Sequence, residues 1–544
     1  MITALREWRV GAGPSDEAVT PSRRWWFDPQ IAAPVFAAIL YVVVIAVRLR
    51  GTLPTFYAYS DFPEALRLGD AVFHGGWGQG LAVPSQTGLG PLWVVGLLNQ
   101  ITGSEVAGMA VGASIVAVAT GFMVWTASKV LGSSSAVAVG ALCIAAPPVV
   151  AWEMLTPVGH ESTLLLTAVS AWQLVALAQT CRSRAAKASV AVGVLAGVCV
   201  TADPLALVAA VAPWVICALM LARGHPERRA PLMTTGGAAV ASAVVIDLLS
   251  SVNGIVGRGS VALPPSINGI TAGLRTTATT LGQMISGTWY SDVLPEAIVI
   301  VAFVAFLGVL YTARRRATLD AGGAAAARKI YVWFWLLSAG GLIAGLCLSG
   351  LGIQYNTVSY QGHYVDGLWF AIAALLPIAV LRRRVPVAIA AVGISCLALV
   401  NAVGIARMPA SLLNGPDYTD AARLTATLVH LGVGNGYGGY WESYAIGWQT
   451  NQRITALPLQ QCAPGSGVPT LCRYEFAAPA WYRLNPGPVF VIVLRGACIH
   501  DDLCIDTGNL AGLPPPEAIR TVGLLQVYVY AHDVFADLPV ATRP

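Results

Sequence analysis

Residues 105–127 read Glu-Val-Ala-Gly-Met-Ala-Val-Gly-Ala-Ser-Ile-Val-Ala-Val-Ala-Thr-Gly-Phe-Met-Val-Trp-Thr-Ala, with no charge after Glu105. A helix needs about 20 apolar residues to cross a bilayer, within a range of about 17–25. This run meets that length, and Lys129 follows it with a positive charge. Reading outward gives eleven candidate spans: 31–47, 105–127, 134–150, 161–179, 188–202, 204–222, 232–250, 297–312, 330–350, 367–381 and 386–405. The composition agrees. Of 544 residues 56% are hydrophobic and 11% charged, and the mean hydropathy is +0.67. A soluble domain carries about 25% charged residues, so much of this chain never meets water. The reading is a mainly α, polytopic membrane bundle.

The basic residues test the count. Arg23 and Arg24, Lys129, Arg182 to Lys187, Arg223 to Arg229, Arg314 to Lys329 and Arg382 to Arg384 all fall on one side when eleven spans are threaded. That is the pattern of cytoplasmic loops. Arg48 and Arg50 are the exception, at the outer end of the first span. The net charge of +5 is spread over these short clusters and is no signal for nucleic acid. The stretch 91–101 is apolar but too short to cross, and is expected as a helix in the outer interface. Residues 1–30 contain Asp16, Glu17 and a Trp pair but no apolar core, so they are expected as a cytoplasmic segment rather than a cleaved signal.

Three regions follow from this threading: residues 1–30, a membrane domain over 31–406 with a large first outer loop at 51–104, and an extracytoplasmic domain over 407–544. In the last, 418–431 has helical periodicity ending at Gly432, and 489–494 and 524–530 read as strands, so a small α/β domain is expected. The glycines at 434–439 follow a helix rather than a strand, which argues against a nucleotide cradle. Cys462, Cys472, Cys498 and Cys504 lie in this outer region and suggest two disulfides. Three pairings are open, with Cys462–Cys472 and Cys498–Cys504 the local choice. A zinc site would need tighter Cys spacing.

Candidate chemistry lies in the outer loops. Asp61 precedes Phe62-Pro63 at the start of a short helix, with Glu64, Arg67 and Asp70 on one face. His74 sits among glycines that let a ligand approach the backbone. Beyond the third span come Trp152-Glu153 and then His160-Glu161, where His160 either donates to a phosphate or caps a helix. Asp203 lies in the Ala-Asp-Pro turn between the fifth and sixth spans, as helix-start chemistry near the same outer surface. Arg258 and Arg275, in the outer loop 251–296, have the charge and fork geometry for phosphate. His363 and Tyr364 precede the tenth span. Asp247, near the outer end of the seventh span, is the one acid inside an apolar run; a transporter would need more of them.

These features resemble the GT-C superfamily, multi-span glycosyltransferases that use polyprenyl-phosphate sugars, and in particular bacterial members that transfer mannose or arabinose. The resemblance rests on four stretches. The first loop begins with Asp61 and continues as Gly-Leu-Gly-Pro-Leu-Trp-Val-Val-Gly-Leu-Leu-Asn-Gln-Ile-Thr-Gly-Ser-Glu at 88–105. Ala-Pro-Pro-Val-Val-Ala-Trp-Glu at 146–153, then Glu161-Ser-Thr-Leu-Leu-Leu, is similar to the third and fourth spans. Gly362-His-Tyr-Val through Leu376-Pro377 is similar to a segment before a late span, with His363 where Arg is common. Gly436-Tyr-Gly-Gly-Tyr-Trp-Glu-Ser-Tyr, with Arg453-Ile-Thr-Ala, resembles the tail.

The resemblance implies Asp61 as general base, with Glu64, Arg67, His74, His160, Glu161, Asp203, Arg258, Arg275, His363 and Tyr364 as substrate-binding candidates. It leaves open whether Asp61 and Glu64 hold a divalent metal ion. The implied partners are membrane lipids, a polyprenyl-phosphate sugar and an envelope glycan, lipid or protein acceptor. A composition rich in Ala, Gly, Val and Arg, with only three lysines, points to a GC-rich bacterial gene and so to the cell envelope. A non-catalytic envelope protein with a glycan-binding or partner-binding outer domain is the rival reading, and a lipid-linked sugar transporter a weaker one.

Overall fold

The computed structural model describes residues 35–40, 43, 69, 82–84, 89–102, 105–155, 160–179, 188–252, 256–258, 266–288, 294–319, 323–349, 364–380, 387–406, 416–450, 453–462, 471–474, 487–495 and 504–539. Each of the eleven apolar runs contains helix in its described part, the third being interrupted at residues 145–147. The elements are β1 (Ala82–Pro84), α1 (Leu89–Thr102), α2 (Glu105–Leu131), α3 (Ser133–Ile144), α4 (Pro148–Leu155), α5 (His160–Gln179), α6 (Ser189–Ala202), α7 (Leu207–Gly224) and α8 (Arg229–Val252). They continue as β2 (Val256–Arg258), α9 (Ile267–Ser286), α10 (Glu296–Leu319), α11 (Gly323–Leu348), α12 (Gly367–Val380) and α13 (Val387–Ala406). Among the described residues, six helices are long and apolar enough to cross a membrane, and α3, α6 and α12 are shorter apolar helices.

The bundle core is packed around Trp335, Trp369, Tyr331, Phe334 and Phe370, all fully buried on α11 and α12. In contrast α8 and α10 turn Val240, Val244, Val245, Ile300, Val301 and Val304 outward. Such faces need no burial in protein, since lipid tails are as apolar as Leu.

Backbone polar groups at membrane depth must be satisfied inside the protein. The Pro147-Pro148 pair breaks the third span into α3 and α4, freeing carbonyls at the end of α3. Two side chains from later helices meet them. Trp369 Nε1 donates to Leu142 O at 3.0 Å, and Asn401 Nδ2 donates to Ala145 O at 2.8 Å. Pro213 does the same damage in α7, because it has no N–H for the preceding turn. The chain answers with a π-helical turn over Leu207–Val211. That turn brings Val208 against Gly341 of α11, where a Cβ would stand 2.1 Å from Val208 O.

The pair α6 and α8 is held by small residues. A Cβ on Gly193 would lie 2.4 Å from Thr235 O, and one on Gly197 would lie 1.9 Å from Ser242 Oγ. Glycine four residues after glycine is the spacing that lets two membrane helices touch backbone to backbone. A buried polar staple sits beside the seam. Gln173 of α5 donates to Thr235 at 2.7 Å and accepts from Trp214 Nε1 at 3.0 Å, joining α5, α7 and α8.

The bundle has two distinct ends. At one, Arg228 donates to Ala178 O and Arg328 to Val130 O, and Arg316 donates to Ile378 O. These carbonyls close α5, α2 and α12, so the basic clusters read from the sequence meet the negative ends of three helices. The other end carries the start of α5, the α6–α7 turn and the start of α12.

Helix α9 falls inside 251–296, which was expected as a loop. Its apolar positions are spaced for one face rather than gathered in a run, so hydropathy alone misses it. Gly269, Gly273, Thr276, Thr277 and Thr280 face inward, Ser266 caps its start and Gly287 ends it at φ 65°. A short parallel pair, with Val83 opposite Gly257 and Pro84 opposite Arg258, ties the first outer loop to this segment. The stretch 91–101 is helical, as expected, within α1.

The C-terminal part contains α14 (Pro416–Leu431), β3 (Asn435–Gly438), α15 (Tyr440–Gln449), β4 (Thr455–Gln461), β5 (Leu471–Arg473), β6 (Val489–Leu494), β7 (Ala518–Val522) and β8 (Leu525–Tyr530). The strands form one mixed sheet in the order β5-β4-β3-β6-β8-β7, with β3 parallel to β4 and β6. The α/β expectation holds, and Gly432 ends α14 at φ 67°. One premise is corrected: Gly436 and Gly438 lie in a strand followed by a helix, not merely after one. Their role here is close packing, because a Cβ on Gly436 would fall 2.4 Å from the Phe490 ring. Cys462 and Cys472 form a disulfide. Cys504 is also disulfide-bonded, while Cys498 lies outside the described residues.

The α6–α8 seam makes a direct test. Gly197→Ala should lower stability by about 1–3 kcal/mol through overpacking, read as a drop in melting temperature of the purified protein. Gly237→Ala, where a Cβ meets nothing within 4 Å, should be neutral or slightly stabilising.

Candidate functional site

The first residue of α5 is His160, and one helical turn later comes Thr163 on the same face. Opposite them Asp203 ends α6 in an extended conformation, φ −144°, as a residue before proline must. The turn therefore swings the Asp203 carboxylate sideways to α5. His160 Nδ1 lies 3.1 Å from Asp203 Oδ2, and Thr163 Oγ1 donates to the same oxygen at 2.6 Å. The other oxygen, Oδ1, accepts the Leu205 N–H at 2.9 Å. A carboxylate can only accept, so Nδ1 of His160 carries the proton between them. His160 is 5% exposed and Asp203 1%.

Burial on its own raises the Asp203 pKa, and it is the largest influence. The charge of His160 and the hydrogen bonds from His160, Thr163 and Leu205 together outweigh it, so the carboxyl titrates below its ordinary range. The helix-start role expected of Asp203 is met by its Oδ1, which accepts the Leu205 N–H.

Around this pair stand further polar groups. Glu161 is fully buried beside His160. Cys199, one turn before Asp203, donates its thiol to Ser162 O at 3.4 Å. Tyr364, before α12, meets His160 edge to face at 6.1 Å between ring centres. A small cavity opens beneath them, lined by His160, Thr163, Thr167, Trp335, Ser338 and Tyr364 with apolar Leu164, Leu205, Ala209, Leu342 and Gly367. Its room for water centres is about 30 Å³, enough for one or two waters.

Of the residues read from the sequence, His160, Glu161, Asp203 and Tyr364 are brought to this one end of the bundle. Arg275 is exposed on α9, and the Arg258 backbone lies in β2. Asp61, Glu64, Arg67, His74 and His363 lie outside the described residues. Thr163, Trp335 and Ser338 were not singled out from the sequence. Thr163 was findable, being three residues after His160 on a helix, whereas Trp335 and Ser338 lie inside an apolar span and carry no local signal. Among the described residues no group of three His, Cys, Asp or Glu side chains is placed to hold a metal ion. Asp247, read as the acid inside a span, is exposed on α8.

Among solved structures, ArnT from Cupriavidus metallidurans bound to undecaprenyl phosphate matches with a TM-score of 0.51, covering 90% of this chain and 97% of that one at 13% identity. The chain shares the fold of ArnT. The architecture implied by the GT-C resemblance, a polytopic helical bundle with a C-terminal domain, is borne out at the level of the fold. The archaeal oligosaccharyltransferase AglB from Archaeoglobus fulgidus, in complex with an inhibitory peptide and a dolichol-phosphate, matches with a TM-score of 0.41, covering 79% of this chain and 64% of that one at 12% identity. ArnT in the apo state matches with a TM-score of 0.38, covering 92% of this chain and 99% of that one at 14% identity. No family model and no curated protein matches the sequence.

The Asp203 carboxyl makes a pH prediction. Because its native pKa is depressed, its contribution to stability is complete above the ordinary carboxylate value, and is lost as pH falls through the lower native one. Asp203→Asn should cost about 3 kcal/mol at neutral pH, the scale for breaking a buried pair. In melting curves against pH, the part of the gap between wild type and variant that the Asp203 charge supplies should be lost as pH falls below about 4.

Proposed function

We propose that this protein is an integral membrane glycosyltransferase that moves a sugar from a polyprenyl-phosphate donor to a cell-envelope acceptor. One observation carries the reading: a chain sharing the ArnT fold over 90% of its length gathers His160, Glu161, Asp203 and Tyr364 at the end of the bundle away from the basic clusters. With the basic end cytoplasmic, that site faces outward, the segment 1–30 lies inside and the domain 407–544 lies outside.

Asp61 is the general base in this reading. It takes the proton of the acceptor hydroxyl as that oxygen bonds to the sugar carbon. The bond from the same carbon to the phosphate oxygen breaks, and polyprenyl phosphate leaves with the electron pair. A carboxylate suits the first task because it is ionised at neutral pH. The leaving phosphate needs positive or hydrogen-bonding partners, and His160, Arg258, Arg275, His363 and Tyr364 are assigned to it. Glu64, Arg67, His74, Glu161 and Asp203 complete the substrate-binding set. The pairing of β1 with β2 supports the arrangement, since it ties the loop that carries Asp61 to the segment that carries Arg258. A divalent ion held by Asp61 and Glu64 would assist the leaving phosphate.

The test is lipid and glycan profiling of a deletion strain. It should accumulate a polyprenyl-phosphate sugar or a truncated envelope glycan, restored by the wild-type gene. Asp61→Asn should lower transfer by about 10²–10⁴-fold, the usual worth of general-base catalysis. Unchanged lipid-linked sugars and glycans in the deletion strain would contradict the proposal.

A further inference from the structure

The Asp203 carboxylate does not border the cavity, yet three groups aim at it, two from α5 and one from its own turn. Its neighbour His160 does border that cavity, next to Tyr364. Resting on the glycosyltransferase reading above, we propose that Asp203, braced by Thr163, is the positioning residue that holds His160 for the lipid phosphate, with Nδ1 turned inward and Nε2 presented to a phosphoryl oxygen.

The chemistry follows from the imidazole ring. Nδ1–H is committed to Asp203, so a proton on Nε2 makes the ring a cation. That cation is the form able to donate to a phosphate. A carboxylate in contact favours the charged ring, and a charged donor makes a shorter, stronger hydrogen bond to an anion. The ring sits at the first residue of a 20-residue helix, whose N-terminal field adds to its attraction for an anion. The groups facing the ring are Asp203 from the α6–α7 turn and Tyr364 from the segment before α12, with Glu161 adjacent in α5. Cys199 stands behind Asp203 in α6 and feels both carboxylates. Thr163 prevents the carboxylate from rotating, because it shares the oxygen that His160 uses. Asp203 touches no substrate in this scheme and acts only through His160.

Binding of undecaprenyl phosphate to the full-length protein in lipid nanodiscs, measured against pH, tests the assignment. Neutral undecaprenol is the control ligand, since it shares the tail and lacks the phosphate. The expected result is that Asp203→Asn weakens undecaprenyl phosphate roughly tenfold or more, the scale of a lost hydrogen bond to a charged group. It should also move the alkaline loss of binding to lower pH. Asp203→Glu should restore part of both, His160→Gln should weaken binding and abolish that pH dependence, and undecaprenol should bind all variants equally. Thr163→Val, a milder change, should shift the pH profile in the same direction and serves if Asp203→Asn does not fold. Wild-type affinity and an unmoved pH profile in Asp203→Asn, or in Thr163→Val where it is the variant that folds, would overturn the positioning role alone. Failure of the wild-type protein to prefer undecaprenyl phosphate over undecaprenol would overturn the glycosyltransferase reading, and this inference with it.

Discussion

A carboxylate removed from water has to be answered by the protein around it, and Asp203 is answered completely. One oxygen takes two donors from α5 and the other takes a backbone N–H of its own turn. Removing a partner from such a pair leaves a buried charge uncompensated, which costs several kcal/mol. The interaction therefore fixes where α5 starts relative to the turn between α6 and α7. It also places the His160 imidazole beside a small cavity rather than in the packed core.

The rest of the bundle obeys the same rule at lower stakes. Proline breaks in the third span and in α7 free backbone groups, and the fold repairs them with Trp369, Asn401 and a π turn. Each repair also locates a helix: α12 and α13 against the end of α3, and α11 against Val208. Gly193 and Gly197 do for α6 and α8 what a buried core does in water, by letting backbones touch. Small residues and a few satisfied polar side chains set the geometry, while the outward faces of α8 and α10 stay apolar for lipid.

Much of this was readable in the chain. Apolar runs announce helices, because a membrane leaves them no other structure, and all eleven contain helix where described, the third broken at its proline pair. The basic clusters around Arg228, Arg316 and Arg328 were legible as one end of the bundle, and the structure adds that they bond to helix C-terminal carbonyls. Helix α9 was hidden because threonine and glycine line its buried face, which no hydropathy window rewards. Strand β3 was hidden because Asn-Gly-Tyr-Gly carries no strand signature and owes its place to Phe490 and Ile492 beside it. His160 and Asp203 were each noticed alone, on the same outer surface. Their pairing across 43 residues is tertiary, and nothing local in either segment specifies it.

The most direct measurement is a density map of the protein in nanodiscs with undecaprenyl phosphate. The account predicts phosphate density at the end of the bundle that carries His160, Tyr364 and the α6–α7 turn, with the isoprenoid leaving along the lipid-facing side. Phosphate seated among Arg228, Arg316 and Arg328 at the opposite end, or no phosphate bound to the bundle, would contradict it.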